Sequence, residues 1–377
     1  MHYNERMEKQ DIDRMEKQDI DAPGVKVDGL EMSYFGSAPS VQHWSFELPR
    51  SGRLCIFGMH NQGKTALLRA LAGLEEYRGS IRVGGKEVRD IPVKETPIAF
   101  SFDFGSLMPR KTALQNIVRP LELRKADEAY VRTRLAYVTR LFDIEDLLNA
   151  KVKDLTPAQC AKVLLARIFV RECELYLVDD VFSGMGYTSR REAFDAFVTA
   201  VGRTDATVIY ATDRMYEARM FGGKIAVVYG GIPQQIDEYY KLYSDPGSLS
   251  VVRSIDDYVG VIGATLKTGE NGWTVNAFGH DVKAPEPISD TYANKRVLCC
   301  VYPEFAVATA DPEGEWTADR SISTKSGRIV RFVRDDGIVY VKNADIALGA
   351  RASVRVFGVG NMFDRISEFK INKEREQ

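Results

Sequence analysis

The chain is poor in cysteine and has no Cys-x-x-Cys pair. Its five thiols, Cys55, Cys160, Cys173, Cys299 and Cys300, are odd in number, which argues against a paired-thiolate zinc site and for a reducing compartment. No apolar run approaches the length of about 18 residues that a membrane span requires, so any membrane role is expected to come through partners. The formal net charge of -2 gives no basic footprint, and nucleic acid is not an expected partner. What remains is a polypeptide of 377 residues with enough apolar side chains to bury two cores, and two or three domains are expected.

Against this background one segment carries chemistry. Gly58-Met-His-Asn-Gln-Gly-Lys-Thr65 follows the apolar run Leu54 to Phe57 and opens a stretch, Ala66 to Leu74, whose leucines recur at helical spacing. Gly58 and Gly63 let the backbone curl so that the amides of Met59, His60, Asn61, Gln62 and Ala66 can face an anion, and the positive end of the helix adds to the field. Lys64 would reach the outer phosphates of a nucleotide, and the Thr65 hydroxyl would ligate magnesium.

The rest of the chain reads as punctuated segments. Residues 1–24 form a charged tail with the duplication MEKQDID, and a secretory signal is not expected because no hydrophobic stretch follows the charges. From Val25 the pattern is strand-like, and Gly84-Gly85 between Ser80-Ile-Arg-Val83 and Lys86-Glu-Val88 marks a hairpin. Residues 105–170 are mainly helical, with Thr156-Pro157 as a helix start. Strands are expected at Glu174 to Val178, Ala206 to Ala211 and Lys224 to Val228, alternating with helices in a largely parallel sheet. Residues 25–243 are thus expected to form one α/β domain. The cluster Ser244-Asp-Pro-Gly-Ser248 opens a second, 244–377, of short antiparallel hairpins that a barrel would close.

Several of these segments resemble ATP-binding subunits of ABC transporters, and in the C-terminal part the maltose-type sugar-importer branch. Leu67-Leu-Arg-Ala-Leu-Ala-Gly73 resembles the helix after the phosphate loop, and Leu155-Thr-Pro-Ala-Gln159 stands where the family has its signature. Leu175-Tyr-Leu-Val-Asp179 is similar to the second nucleotide motif, and Ile209-Tyr-Ala-Thr212 to the strand before the switch histidine. Gly231-Ile-Pro-Gln-Gln235 and Val301-Tyr-Pro-Glu304 resemble later landmarks. The resemblance implies a P-loop NTPase domain followed by a small β domain of the OB/TOBE type. It also implies ATP and Mg2+ as ligands, Tyr34 (with Phe35 next) on adenine, and Thr65, Asp179 and Asp103 at the metal. Thr156, Pro157, Ala158 and Gln159 would cap the nucleotide of a second ATPase subunit.

The departures from the family are as specific as the matches. Asp180 replaces the glutamate that positions the attacking water, and its side chain is about 1.5 Å shorter. A misplaced base forfeits much of a contribution worth about 100- to 10,000-fold. Asp213 replaces the switch histidine; a carboxylate about 5 Å from a phosphate charge costs about 3 kcal/mol at an effective dielectric near 20, unless protonated or screened. Asp103 replaces a glutamine, Gly186 an aspartate, and Pro157 offers no amide hydrogen. His60 lies at a variable loop position and is expected to face solvent.

These readings add up to an expected Mg-ATP-binding subunit of a carbohydrate importer with impaired hydrolysis. Its expected partners are a more complete ATPase, transmembrane permeases and, through them, an extracytoplasmic binding protein. Its expected place is cytoplasmic, peripheral on the plasma membrane. Two alternatives stand beside it: a fully active homodimeric ATPase, and a non-transport module that uses ATP to dimerise.

Overall fold

The structure, a computed structural model, describes residues 24–33, 40–92, 94–101, 106–269, 272–284, 290–324, 327–335 and 337–371. Tyr34, Phe35, Asp103 and the MEKQDID duplication lie outside the described residues. Two compact units divide at Glu238 and Tyr239.

The first unit begins with an antiparallel sheet. β1 (Val25–Met32) pairs with β2 (Val41–Leu48) and, after β3 (Arg53–Phe57) and α1 (Lys64–Leu71), with β4 (Arg78–Val83). The Gly84-Gly85 turn returns β4 onto the short β5 (Lys86–Glu87), both glycines having positive φ. β6 (Ile98–Phe100) then leads into three helices, α2 (Ala113–Leu123), α3 (Glu128–Phe142) and α4 (Pro157–Phe169). The remaining elements are β7 (Leu175–Asp179), α5 (Tyr187–Val201), β8 (Thr207–Thr212), α6 (Met215–Phe221), β9 (Lys224–Tyr229) and β10 (Ile232–Glu238).

The second sheet runs β10-β9-β3-β8-β7-β6, parallel throughout except for the β10 hairpin. β7 and β8 are almost entirely buried, which is why their sequences read as unbroken apolar runs rather than alternating ones. On α1, Leu67, Leu68 and Leu71 share one buried cluster with Val25 and Ile81 of the antiparallel sheet and Leu54 and Ile209 of the parallel one. That packing fixes the first turn of α1, and hence Lys64, at the carboxyl end of the central strand β3.

Register places the chemistry. Phe57 pairs with Thr212, and Asp179 with Ala211, so β3, β8 and β7 end side by side. Whatever follows each strand meets at one edge, the usual ligand edge of a parallel sheet.

The second unit starts with two short helices, α7 (Tyr239–Ser244) and α8 (Leu249–Ile255). Its strands are β11 (Gly260–Gly269), β12 (Gly272–Ala277), β13 (His280–Lys283), β14 (Arg296–Val301), β15 (Ala306–Ala310), β16 (Trp316–Thr324), β17 (Gly327–Arg334), β18 (Gly337–Lys342), β19 (Arg351–Val356) and β20 (Met362–Asp364). They pair antiparallel, with β11 joined along its length to β12, β14 and β18. Ile262, Leu266, Val330, Phe332 and Val339 anchor the core of this unit.

Candidate functional site

The segment between β3 and α1 wraps the head of Lys64. The lysine is 9% exposed, and its Nζ donates to the carbonyls of Gly58 (2.6 Å) and Met59 (2.8 Å), which sets the ammonium at the centre of the loop. Burial pushes the Lys64 pKa down, opposed by the carboxylates of Asp213, Asp180 and Asp179. Gly63 is required where it stands: its φ is +82°, and a Cβ there would lie 2.1 Å from the Ser40 carbonyl oxygen. Asn61 also takes a left-handed conformation, at φ 61°. Gln62 turns outward and accepts a hydrogen bond from the amide of Gly230, tying the loop to the β9–β10 turn. Met59 is exposed.

A cavity of about 620 Å³ opens over this loop, bounded by His60 to Ala66, Asp179, Asp180, Ser40 and the Gly230-Gly231 turn. Asp179, at the last position of β7, has its pKa raised by burial and partly restored by a hydrogen bond from Thr65 and the field of Lys64. Its backbone amide is held by the Ser101 hydroxyl at 2.7 Å. The Thr65 hydroxyl and the Asp179 carboxylate are hard oxygen donors suited to magnesium. Among the described residues no group of three or more His, Cys, Asp or Glu side chains could hold a metal ion by itself. A cation here would therefore need phosphate oxygens and water to complete its shell, as Mg2+ at nucleotide sites commonly does.

Asp180 and Asp213, the two departures, sit on one cation. Asp180 has φ 36°, and its amide donates to Ala211 O, so its carboxylate is aimed by backbone shared with β8. Arg190 Nη2 lies 3.4 Å from Asp180 Oδ1 and 4.0 Å from Asp213 Oδ1. The same guanidinium is bound through Nε and Nη2 by Glu217 and donates from Nη1 to the Phe182 carbonyl. Glu217 in turn accepts from Tyr210 and Thr212, each at 2.7 Å. Burial pushes the Asp180 pKa up, with Arg190 working against it. The full repulsion expected of Asp213 toward a phosphate is thus reduced, because Arg190 screens it; His60 Nε2 lies 3.4 Å from Asp213 Oδ2. His60 does face solvent, with a side chain 73% exposed.

Arg190 and Glu217 were not singled out by the sequence reading, although a signal existed. Arg190 occupies the same helical stripe as Ala193, Phe194, Phe197 and Val201, and a charge on an apolar stripe demands a buried partner. Glu217 shares a face with Phe221 in the same way. The Gly230-Gly231 pair marks a turn but not its place over the loop, and Ser40, which approaches the loop from outside, carries no local signature.

The segment Thr156 to Gln159 does not line this cavity. It forms the N-terminus of α4 as a reciprocal cap: Thr156 Oγ1 accepts from the Gln159 amide at 3.3 Å, and Gln159 Oε1 accepts from the Thr156 amide at 2.9 Å. Because the Thr156 hydroxyl acts only as acceptor there, its proton stays available to a ligand. Pro157 takes the first helical position, and Ala158 is buried with its methyl. Gly186 is the N-cap of α5, with open space where a Cβ would project.

Comparison with known proteins fits this geometry. Residues 41–183 match the ABC transporter family. The chain is 32% identical over 224 residues to the trehalose/maltose import ATP-binding protein MalK of Thermococcus litoralis, covering 58% of this chain and 60% of that protein. It is 29% identical over 255 residues to the trehalose import ATP-binding protein SugC of Mycobacterium tuberculosis, 65% of each. The matched part thus spans only 60% to 65% of these relatives' length. Among solved structures, a dimeric ATP-binding cassette in a post-hydrolysis state with ADP and Pi superposes with a TM-score of 0.50 at 19% identity, over 57% of this chain and 98% of that one. It shows the same fold.

Proposed function

We propose, from the match of residues 41–183 to the ABC transporter family, that the chain is the ATP-binding subunit of a carbohydrate importer that grips Mg-ATP and hydrolyses it poorly. In this reading the loop amides and the Lys64 ammonium bind the β and γ phosphates, while Thr65 and Asp179 hold the magnesium, which would neutralise phosphate charge. Tyr34 is assigned to the adenine and Asp103 to the metal on sequence grounds alone. No helix among the described residues is long and apolar enough to cross a membrane. In this reading separate permease subunits carry the transport step.

The observation that carries the impaired-hydrolysis part is the Arg190 guanidinium at 3.4 Å from Asp180. Arg190 holds this carboxylate toward the interior and its side chain is also short for the task, so the base is misplaced for an attacking water rather than weak. The companion subunit is assigned the better catalytic site, capped by Thr156 and Gln159 of this chain. The relatives' names support the sugar branch: those proteins import trehalose or maltose.

Two measurements on purified full-length protein test the reading. Mg-ATP should bind the isolated chain and be lost with Lys64→Ala, while steady-state phosphate release stays slow until a second ATPase subunit is supplied. Rapid Lys64-dependent turnover by the chain alone would refute impaired hydrolysis and favour a self-sufficient homodimer.

A further inference from the structure

Asp213 stands between two basic side chains of different origin. Its Oδ1 is 4.0 Å from the buried Arg190, which belongs to the protein's interior network, and its Oδ2 is 3.4 Å from Nε2 of His60, which belongs to the phosphate loop. The carboxylate is 23% exposed and the imidazole 73%, so the pair lies toward the surface rather than in the core, with His60 lining the cavity. The arrangement follows from topology: Asp213 comes directly after β8, the strand that pairs with β3, whose carboxyl end launches the loop.

We propose that His60, oriented by Asp213, is the residue that senses the terminal phosphate of a bound nucleoside triphosphate. This rests on the reading that the Lys64 loop binds such a ligand. The Lys64 ammonium touches the carbonyls of Gly58 and Met59, and His60, the next residue along the loop, lines the same cavity, so a terminal phosphate held by Lys64 would lie within its reach. An imidazolium donates from both ring nitrogens, one to the carboxylate and the other to a phosphate oxygen. Asp213 and His60 then act as a unit. The acid, taken alone, repels the phosphate; through the histidine it attracts it. A diphosphate ends short of this contact, and the pair therefore distinguishes ATP from ADP.

The test is equilibrium binding of Mg-ATP and Mg-ADP to the full chain, by titration calorimetry, for wild type, His60→Ala, Asp213→Ala and the double variant. His60→Ala should weaken ATP about 10-fold and leave ADP within about 2-fold, the size of one charge-assisted hydrogen bond. Asp213→Ala should also weaken ATP, and the double variant should be no weaker than His60→Ala alone, the mark of coupling. Equal losses for ATP and ADP in His60→Ala, or unchanged ATP binding there, would overturn the inference while leaving the nucleotide site intact. Tighter ATP binding in Asp213→Ala would show the acid acting as an isolated repulsive charge and would likewise overturn it. Wild type that binds neither nucleotide would remove the underlying nucleotide reading and this inference with it.

Discussion

Arg190 Nη2 and Asp180 Oδ1 are 3.4 Å apart, and the arginine involved is 5% exposed. The Asp180 carboxylate, just past the carboxyl end of β7, is thus electrostatically part of the protein's interior, joined through Arg190 to Glu217, Tyr210 and Thr212.

Lengthening that side chain should separate reach from charge. Asp180→Glu is expected to raise single-turnover hydrolysis on the order of 10-fold or more in the presence of the partner ATPase. Position 180 has a left-handed φ of 36°, which suits Asp better than Glu, so the melting temperature should fall as activity rises. Quench-flow and thermal denaturation together check both directions.

Breaking the interior network should cost far more than any surface change. Arg190→Met leaves Glu217 buried at 3% exposure without its cation and is expected to destabilise the chain by about 3–5 kcal/mol. Glu217→Gln, which keeps an acceptor for Tyr210 and Thr212, should cost less. Urea unfolding of the two variants decides the order.

The buried carboxylate of Asp179 predicts a trade. Burial raises the Asp179 pKa in the ligand-free fold, so its folded value lies above its unfolded one. The stabilising contribution of such a group is complete below the ordinary value of 3.8 and is lost as pH rises through the folded pKa. Asp179→Asn should therefore be more stable than wild type at neutral pH, with the difference vanishing near the ordinary value, and should bind Mg-ATP more weakly. Urea melts at two pH values and one binding titration measure all three outcomes.

At the N-terminus of α4 the expectation is local. Thr156→Ala removes one half of the reciprocal cap and should cost about 1 kcal/mol, leaving ATP binding in this chain's own pocket unchanged. If the hydroxyl also serves the companion's nucleotide, hydrolysis by the reconstituted pair falls while that of the separate subunits does not. Activity assays on both preparations discriminate.

Much of this was legible because the signals are local. The loop glycines, the Thr156-Pro157 start, the Gly84-Gly85 hairpin and the buried strands β7 and β8 each declare themselves within a few residues. Arg190 and Glu217 meet across 27 residues, and Ser40 reaches Gly63 from another sheet, so neither contact has a local period to betray it. For the same reason the protein groups beside Asp213 are not legible in the sequence: Arg190 and His60 come from α5 and from the phosphate loop, and only the strand register brings them together.

Gln62 fastens the phosphate loop to the Gly230 amide, and Lys64 already fills its centre. An arriving anion therefore meets a cradle whose shape is settled beforehand, and little chain freedom is surrendered on docking. Capture then keeps pace with diffusive encounters instead of waiting on a backbone rearrangement, and how long the guest stays is decided by its rate of departure.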